Sequence, residues 1–326
     1  MDVLWLTEDD VKSILTMDEA IGAVKGAFYD HAMAKTQMPA KSYLYFPQYD
    51  GDLRTMPAYL EGLDVAGVKI VNVHAKNPCI GLPTVMALLT LISPKNGAPL
   101  AIMGATYLTS MRTGAAGAVA ARLLARKDSH VVGMIGAGVQ AKTQLLGVSR
   151  QFEIDTVRVF DASLSQSQSF EKECRAFLDC EYLIAEEPSD ACQCDILVTT
   201  TPSRTPVVRK DWVLPGTHIN AIGADARGKQ ELESTLTKSA KIFVDDLVQA
   251  VHSGEVNVPI SEGVMLPVDI HAQLGSVLAG KKSGRENDQE ITIFDSTGLA
   301  IQDVATGYSV YEKALLIGKG MRLLPS

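Results

Sequence analysis

The sequence lacks the features that mark several classes of protein. Basic residues are in the minority: 30 Lys and Arg stand against 38 Asp and Glu, and the net charge of −8 argues against nucleic acid or an anionic membrane as the main partner. No stretch approaches the ~20 consecutive apolar residues that a membrane-spanning helix requires. Residues Met1–Trp5 carry no basic segment followed by a long apolar run, so we expect no signal peptide.

Cysteine is scarce, and its spacing forms no framework. The five cysteines are an odd number, and Cys192 and Cys194 have no second ligand pair with which to complete a zinc site. We therefore expect free thiols, no metal, and a reduced, cytoplasmic protein. At 326 residues, with 46% hydrophobic and 21% charged residues, the chain is typical of a globular protein with two domains.

The stretch from Ser129 to Asp161 has the order of a dinucleotide-binding unit. An apolar strand pattern meets the turn Gly136-Ala137-Gly138-Val139-Gln140-Ala141, and a helical pattern and a second strand pattern follow. In this context the glycine pattern is informative, because Gly136 permits a tight turn and Gly138 lets backbone approach a pyrophosphate. The start of the helix then faces the phosphates.

Asp161 ends the second strand of this unit and indicates which dinucleotide binds. A carboxylate at this position accepts hydrogen bonds from the ribose hydroxyls and repels a 2′-phosphate, so the sequence predicts NAD rather than NADP. The alternative is a glycine turn that binds nothing, and the combination of strand, turn, helix and terminal acid favours the cofactor.

The N-terminal third predicts helices followed by a sheet. Two capping-box patterns, at Thr7–Asp10 and Thr16–Glu19, predict that the chain begins with two helices. From Lys41 to Ala75, strand-like runs separated by turns are typical of an antiparallel meander. Lys69 lies inside one apolar run, where a buried lysine needs a carboxylate partner or a chemical task. The alternative, an outward-facing lysine on a one-sided sheet, stays open at this stage.

After Asp161, helix-like and strand-like segments alternate, which is the pattern of a doubly wound parallel sheet. Two crossovers, Thr199–Ser203 and Ala221–Asp225, follow strand ends, where a cofactor usually binds. We therefore predict an α/β fold with a Rossmann-type domain over 114–301. Residues 1–113 and 302–326 form a discontinuous α+β substrate domain, to which the last helix returns.

Several longer motifs are more specific than the glycine turn. They are GLPTVMALL, SMRTGAAG, TTTPSR, HINAIGAD, GKQEL and ITIFDSTGLAIQDVA. With these motifs, nearly the whole chain resembles the ornithine cyclodeaminase/μ-crystallin family, and within it the archaeal-type alanine dehydrogenases. The resemblance implies a homodimer formed by the first domain and NAD(P)-dependent chemistry at the Cα of an amino or imino acid.

The resemblance also implies a role for individual residues. Lys41, Arg54 and Lys69 match the cations that bind the substrate, with Lys69 also the acid/base, and Asp225 matches the catalytic aspartate of the cyclodeaminases. The cofactor-contacting positions, with those of the glycine turn, are Thr84, Arg112, Thr113, Gly136, Gly138, Val139, Gln140, Asp161, Thr201, Ala221, Ile222, Gly223, Ala224, Lys229 and Ser296.

Two positions depart from the family pattern. Gly104 stands where relatives usually carry an acid, and the stretch Ala226–Lys229 lacks the proline of the cyclodeaminases, which weakens the ornithine hypothesis. The leading hypothesis is an NAD-dependent dehydrogenase of L-alanine. The alternatives are ornithine cyclodeamination, reduction of a cyclic imine such as 1-pyrroline-2-carboxylate, and a nucleotide-binding storage or hormone-binding protein without turnover.

Overall fold

The computed structural model describes residues 2–323, which divide into two compact units. The first unit joins Met1–Arg112 to Leu299–Ser326, and the second is Thr113–Gly298. The breaks thus fall near the sequence-based boundaries, while the roles assigned to the two domains stay predictions. In the part of the chain that the structure describes, no helix is both long and apolar enough to cross a membrane.

The first unit contains a mixed sheet and helices from both ends of the chain. Its elements are β1 (Val3–Leu6), α1 (Glu8–Ile14), α2 (Met17–Ala32), β2 (Thr36–Gln37), β3 (Ser42–Phe46), β4 (Gly51–Leu60), β5 (Val65–His74), β6 (Val85–Ile92), β7 (Pro99–Gly104), the start of α3 (Thr106–Leu124), and, from the C-terminal segment, α11 (Ala300–Ile317) and β16 (Met321–Leu323).

The eight strands of this sheet follow the order β16-β1-β7-β6-β5-β4-β2, and β3 also pairs with β4. The strands from β3 to β7 pair antiparallel, which confirms the predicted meander, whereas β1 lies parallel to β7. The prediction that the chain begins with two helices is wrong, because β1 precedes them. Val3–Leu6 is apolar throughout and shows no two-residue alternation, and so short an apolar run does not distinguish a strand from a helix.

Both predicted capping boxes are present. Thr7 Oγ1 accepts a hydrogen bond from Asp10 N at 3.1 Å, and Asp10 Oδ2 accepts one from Thr7 N at 3.0 Å. Thr16 and Glu19 exchange the equivalent bonds at the start of α2. Each box satisfies backbone amides that an α-helix leaves without partners at its first turn.

Glu8 accounts for the glycine at position 104. Its carboxylate accepts hydrogen bonds from Thr106 N at 2.6 Å and Tyr107 N at 3.1 Å, so an acid from α1 caps the start of α3. A Cβ added at Gly104 would lie 2.8 Å from Glu8 Cγ. Glycine therefore leaves room for Glu8, and Glu8 supplies a negative charge where helix amides favour one.

The second unit continues α3 and alternates strands with helices. Its remaining elements are β8 (Val131–Ile135), α4 (Val139–Ser149), β9 (Thr156–Phe160), α5 (Leu164–Cys174), β10 (Glu181–Ile184), α6 (Pro188–Ala191), β11 (Ile196–Thr199), β12 (His218–Ala221), α7 (Ser234–Ser239), β13 (Lys241–Val244), α8 (Leu247–Ser253), α9 (Asn257–Ser261), β14 (Ala272–Gln273), α10 (Leu274–Leu278) and β15 (Thr292–Asp295).

All eight strands of the second sheet are parallel, in the order β10-β9-β8-β11-β12-β15-β13-β14. From β8 the chain adds β9 and β10 on one side, and from β11 it adds β12, β13 and β14 on the other, where β15 is inserted between β12 and β13, so the order reverses between β8 and β11. This is the predicted doubly wound sheet. The reversal opens a crevice at the carboxyl ends of β8 and β11, the usual place for a dinucleotide in such folds.

Candidate active site

Lys69 lies on the buried face of the first sheet. In β5 the buried positions alternate and include Val65, Gly67, Lys69 and Val71, and the exposed fraction of Lys69 is 0%. The face is set by the two-residue period of a strand, which places these side chains on one side. The outward-facing alternative for Lys69 is therefore wrong.

Lys69, Asp303 and Arg112 form a buried ion triad. Asp303 Oδ1 accepts a hydrogen bond from Lys69 Nζ at 2.7 Å and one from Arg112 Nε at 2.8 Å. Asp303 lies in the first turn of α11, and Arg112 Nη1 also donates to Gln302 Oε1, at 3.0 Å. Asp303 Oδ2 is buried without a hydrogen-bond partner among the described residues, so one acceptor of the triad is open.

The surroundings of Lys69 shift its protonation toward the neutral amine. Burial and the neighbouring Arg112 charge, helped by Lys41, outweigh the attraction of Asp303 and lower the pKa of Lys69 to about 7. Burial disfavours the charged form of a lysine, and each nearby cation adds to the effect. A lysine with a pKa near 7 exchanges protons readily at neutral pH, which suits a general base or acid.

The other two predicted cations belong to the same unit. Arg54 is 8% exposed and lies on the buried face of β4, where the register sets Val71 opposite it. Its Nη2 donates to Asp52 Oδ2 at 2.9 Å, and its guanidinium stacks 5.5 Å from the centre of the Tyr43 ring. Lys41 is half-buried, immediately before β3. A partly buried guanidinium held in one orientation can bind a carboxylate in a bidentate manner.

The glycine turn of the second unit has the geometry expected for a dinucleotide. Gly136 has φ +94°, a conformation that L side chains rarely adopt, and its amide donates to Phe160 O at 2.9 Å. Gly138 is the N-cap of α4 without a side-chain cap, and a Cβ added there would meet nothing within 4 Å. Val139 is 66% exposed despite its apolar side chain. The start of α4 thus presents uncapped amides to open space, which suits a phosphate.

Asp161 follows β9 and organises this turn. Its Oδ2 accepts a hydrogen bond from Ala137 N at 2.9 Å, and its Oδ1 accepts one from Ser163 N at 2.9 Å. The carboxylate is therefore held at the strand end by two backbone amides. A third acceptor direction of such a carboxylate suits a ribose hydroxyl.

The crossovers after β11 and β12 lie side by side. Ile222 N donates to Thr199 O, and Ser296 N donates to Ala221 O, both at 3.0 Å. The side-chain atoms Gln140 Oε1 and Ser296 Oγ are buried and lack a hydrogen-bond partner within residues 2–323. Both belong to predicted cofactor positions, and buried polar atoms are rarely left unpaired unless a water or ligand completes them.

Asp225 and Lys229, assigned separate roles by resemblance, contact each other. Lys229 Nζ lies 2.6 Å from Asp225 Oδ1 and 3.5 Å from Gly223 O. Both side chains are partly exposed, at 32% and 21%. The pair follows β12 directly, so it lies at the carboxyl end of the parallel sheet.

Three of the predicted cofactor positions have other contacts in the structure. Thr84 is exposed before β6, and its carbonyl accepts from His74 N. Thr113 is buried, and its carbonyl accepts from Gln144 Nε2 at 2.8 Å. Arg112 belongs to the ion triad. The roles of all three toward a cofactor stay predictions.

Two functional candidates escaped the sequence analysis, Asp303 and Glu231. Asp303 interrupts the apolar stripe of α11, between Ile301 and Val304, and both of these neighbours are buried. An acid inside an apolar helical stripe is the signal that could have identified it. Glu231 lies within GKQEL and is fully buried.

The comparisons with known proteins cover nearly the whole chain. The model of the ornithine cyclodeaminase/mu-crystallin family matches residues 1–317. An alanine dehydrogenase from Archaeoglobus fulgidus is 54% identical over 324 residues, which are 99% of this chain and 98% of that protein.

Two solved structures superimpose closely. An archaeal alanine dehydrogenase dimer with bound NAD has a TM-score of 0.94 and 53% identity, covering 99% of each chain. A Delta(1)-pyrroline-2-carboxylate reductase from Thermococcus litoralis, in complex with NADH and L-proline, has a TM-score of 0.96 and 39% identity, covering 98% of this chain and 100% of that one.

Proposed function

The chain belongs to the ornithine cyclodeaminase/mu-crystallin family, and we propose that it catalyses the reversible, NAD-dependent oxidative deamination of L-alanine to pyruvate and ammonia. The observation that carries the proposal is the fully buried Lys69, whose pKa is lowered to about 7 beside a carboxylate and a guanidinium. The 54% identity to an alanine dehydrogenase supports the choice of substrate.

The amino acid must first be held by its carboxylate. Arg54 is buried, and Asp52 holds its Nε and Nη2, so it supplies a fixed positive charge for the carboxylate, to which Lys41 adds a second. Fixing the carboxylate restricts the rotation of the substrate and orients its Cα–H bond, which lowers the entropic part of the barrier.

Lys69 then acts as the base. An ammonium group must lose a proton before the nitrogen lone pair can assist the departure of the Cα hydrogen, and neutral Lys69 accepts that proton at Nζ. The open acceptor Asp303 Oδ2 offers a hydrogen bond to the substrate ammonium or to the water that hydrolyses the iminium product. Asp303 Oδ1 meanwhile keeps Lys69 and Arg112 in fixed orientations.

The second unit fits NAD. The uncapped start of α4 suits the pyrophosphate, Asp161 suits the ribose hydroxyls, and the buried open groups Gln140 Oε1 and Ser296 Oγ suit further polar contacts. Bound NAD would supply the two-electron oxidant for the Cα–H bond of the amino acid. Asp225, paired with Lys229, is the second acid/base candidate and can orient water.

The same scaffold supports two other reactions. A solved relative reduces Delta(1)-pyrroline-2-carboxylate, and the family also includes ornithine cyclodeaminases. Purified protein supplied with L-alanine and NAD should produce NADH, which is measured by its absorbance. In the reverse direction, protein supplied with pyruvate, ammonia and NADH should consume the NADH. Formation of proline from ornithine without net NADH would identify ornithine as the substrate in place of alanine. Consumption of NADH with 1-pyrroline-2-carboxylate and not with pyruvate and ammonia would identify the cyclic imine as the substrate.

A binding protein without turnover is the alternative from a different class. Lys69→Ala serves as the control for it, because a bound nucleotide alone does not require this base. Steady NADH production by wild-type protein that is lost in Lys69→Ala excludes the binding protein.

We also propose that the enzyme is a cytoplasmic homodimer. One solved relative is a dimer, and the face of the first sheet opposite Lys69 exposes apolar side chains. Ile70 and Leu88 are directly opposite each other on β5 and β6 and are 37% and 46% exposed, and Met86 lies on the same face. Contiguous exposed apolar surface of this kind favours association. All five cysteines are free, as in a reducing compartment.

A further inference from the structure

Glu231 joins the two crossovers at which the cofactor is expected to bind. It is fully buried and lies in the stretch between β12 and α7. Its Oε1 accepts a hydrogen bond from Thr201 N at 2.5 Å, and its Oε2 accepts one from Gly223 N at 2.8 Å. Thr199 Oγ1 donates a third, at 2.7 Å, to Oε2. The single carboxylate of Glu231 therefore accepts hydrogen bonds from the backbone of both crossovers, the one after β11 and the one after β12.

The position of Glu231 is itself fixed. Its amide donates to Glu255 Oε1 at 3.0 Å, and its carbonyl accepts from Val207 N at 2.7 Å and Val208 N at 3.0 Å. Gly223 permits the close approach on the other side, since a Cβ there would lie 2.6 Å from Glu231 Cδ and closer still to Thr201 O. A rigidly held acceptor and a glycine thus set the spacing of the two crossovers.

We propose that Glu231 is a positioning residue for the nicotinamide half of the cofactor, which acts by holding the Thr201 and Gly223 crossovers at a fixed separation. This inference rests on the proposed NAD chemistry. The adenosine half is expected at the glycine turn and Asp161, which Glu231 does not contact through any described hydrogen bond. Thr200 Oγ1, in the same crossover as Thr201, donates to Gly136 O at 3.3 Å, so Glu231 should affect binding of the nicotinamide half far more than binding of the adenosine half.

Glu231→Gln tests this directly. A glutamine keeps one oxygen, so its amide group must face the Thr201 or the Gly223 amide, donor to donor. Titration calorimetry with NAD should give a Kd raised about 10-fold, because the crossover spacing that binds the nicotinamide is then populated in only a fraction of the variant molecules. ADP-ribose, which lacks the nicotinamide, should bind the variant within about 2-fold of wild type. The KM for NAD should rise more than kcat falls.

Asp195→Asn is the matched control. Asp195 Oδ2 accepts from two backbone amides of the same sheet, His130 N and Val131 N, each at 2.9 Å, and its Oδ1 pairs with Arg126, at the opposite end of β8. The Asp195→Asn substitution should lower the melting temperature of the protein while leaving the Kd values for NAD and ADP-ribose unchanged.

The outcomes separate the two proposals. Equal losses of NAD and ADP-ribose binding in Glu231→Gln, or no loss of either, would overturn the positioning role alone, because wild type would still bind NAD. Wild-type protein that binds no NAD would overturn the proposed function and this role with it. If Glu231→Gln does not fold, Thr199→Val replaces it: a few-fold rise in the Kd of NAD alone supports the role, and an unchanged Kd overturns it.

Discussion

Lys69 and Asp303 are 234 positions apart in the sequence, yet the lysine Nζ lies 2.7 Å from the carboxylate Oδ1 in a fully buried contact. Asp303 opposes the effect of burial and raises the pKa of Lys69, which settles at about 7. Burial and Arg112 lower the pKa of the base, and this ion pair limits the decrease so that the pKa lies near neutral pH. The ion pair also couples the chemistry of β5 to the position of α11.

Asp303→Asn should shift the pH profile of alanine oxidation. Without the carboxylate, the pKa of Lys69 falls further below 7, so the neutral base persists to lower pH and the rising limb of kcat moves toward acid. The profile of kcat against pH, measured between pH 5 and 10, reports this group in the enzyme–substrate complex. A limb that does not move, or that moves toward alkaline pH, would contradict the pairing.

The same substitution should lower stability by about 3–5 kcal/mol when Lys69 is charged, since it leaves a buried cation unpaired. The folded-state pKa of Lys69 lies below the unfolded value, so the unfolded chain binds more protons between the two. The free energy of unfolding should therefore rise with pH through that window. Urea titrations at pH 6 and pH 9 measure the increase in the free energy of unfolding between the two pH values. This increase should be smaller for the wild type than for Asp303→Asn.

Arg54 and Lys69 should separate substrate binding from chemistry. Arg54→Ala should mainly raise the KM for alanine, because it removes a contact shared by the ground state and the transition state. Lys69→Ala should chiefly lower kcat, by about 10²–10⁴-fold. Lys95→Ala, which removes an exposed lysine paired with Asp64, is the control and should change neither constant. Small, equal effects of the two active-site changes would show that neither side chain meets the substrate.

Asp161 should determine the choice of cofactor. Asp161→Ser removes the charge that repels a 2′-phosphate, so the preference for NAD over NADP in kcat/KM should fall at least about tenfold. Steady-state kinetics with both cofactors measures it. A wild type that already uses NADP as well as NAD would mean that Asp161 does not face the ribose.

Asp225→Asn distinguishes the two leading reactions. A cyclodeaminase needs this carboxylate near the imine for the attack that follows oxidation, whereas in alanine oxidation Lys69 can carry most of the proton transfers. We expect the variant to bind NAD normally and to oxidise alanine more slowly without losing the activity. If the wild-type protein converts ornithine to proline and leaves alanine unchanged, ornithine cyclodeamination replaces alanine oxidation as the leading reaction.

Leu88→Glu should dissociate the homodimer. The substitution introduces a charge into the exposed apolar face that Leu88 shares with Ile70. Light scattering coupled to size-exclusion chromatography should report a monomer. Leu316→Glu, at a leucine that is 86% exposed near the end of α11, is the matched control and should stay dimeric. A dimeric Leu88→Glu would place the interface elsewhere.

The parts that could be predicted from the sequence are those with local signals. The glycine turn, the two capping boxes and the alternating strands each depend on residues a few positions apart, and the structure contains all of them. Lys69 was identified as unusual by its apolar neighbours alone. Its burial could not be decided locally, because either face of β5 fits a strand with one lysine.

The residues that escaped prediction act over long sequence separations. Asp303 meets Lys69 because α11 returns to the first unit, and although the sequence predicted that return, it did not indicate which residue of α11 would face Lys69. Glu231 bonds to Thr201, 30 positions earlier, across a crossover. The contact of Glu8 with the start of α3 has the same character, since the acid lies 98 positions away from the amide it caps.

The return of α11 has a consequence for synthesis. A ribosome makes the chain from its N-terminus, and domains generally fold as their residues emerge. The sheet that buries Lys69 is complete, apart from β16, once β7 has been made, but the counterion of Lys69 arrives only with residue 303 of 326. Until then either Lys69 is neutral inside the nascent first unit or that unit stays open around it. The active-site lysine can therefore be enclosed with its counterion only after residue 303 has emerged, almost 200 residues after β7.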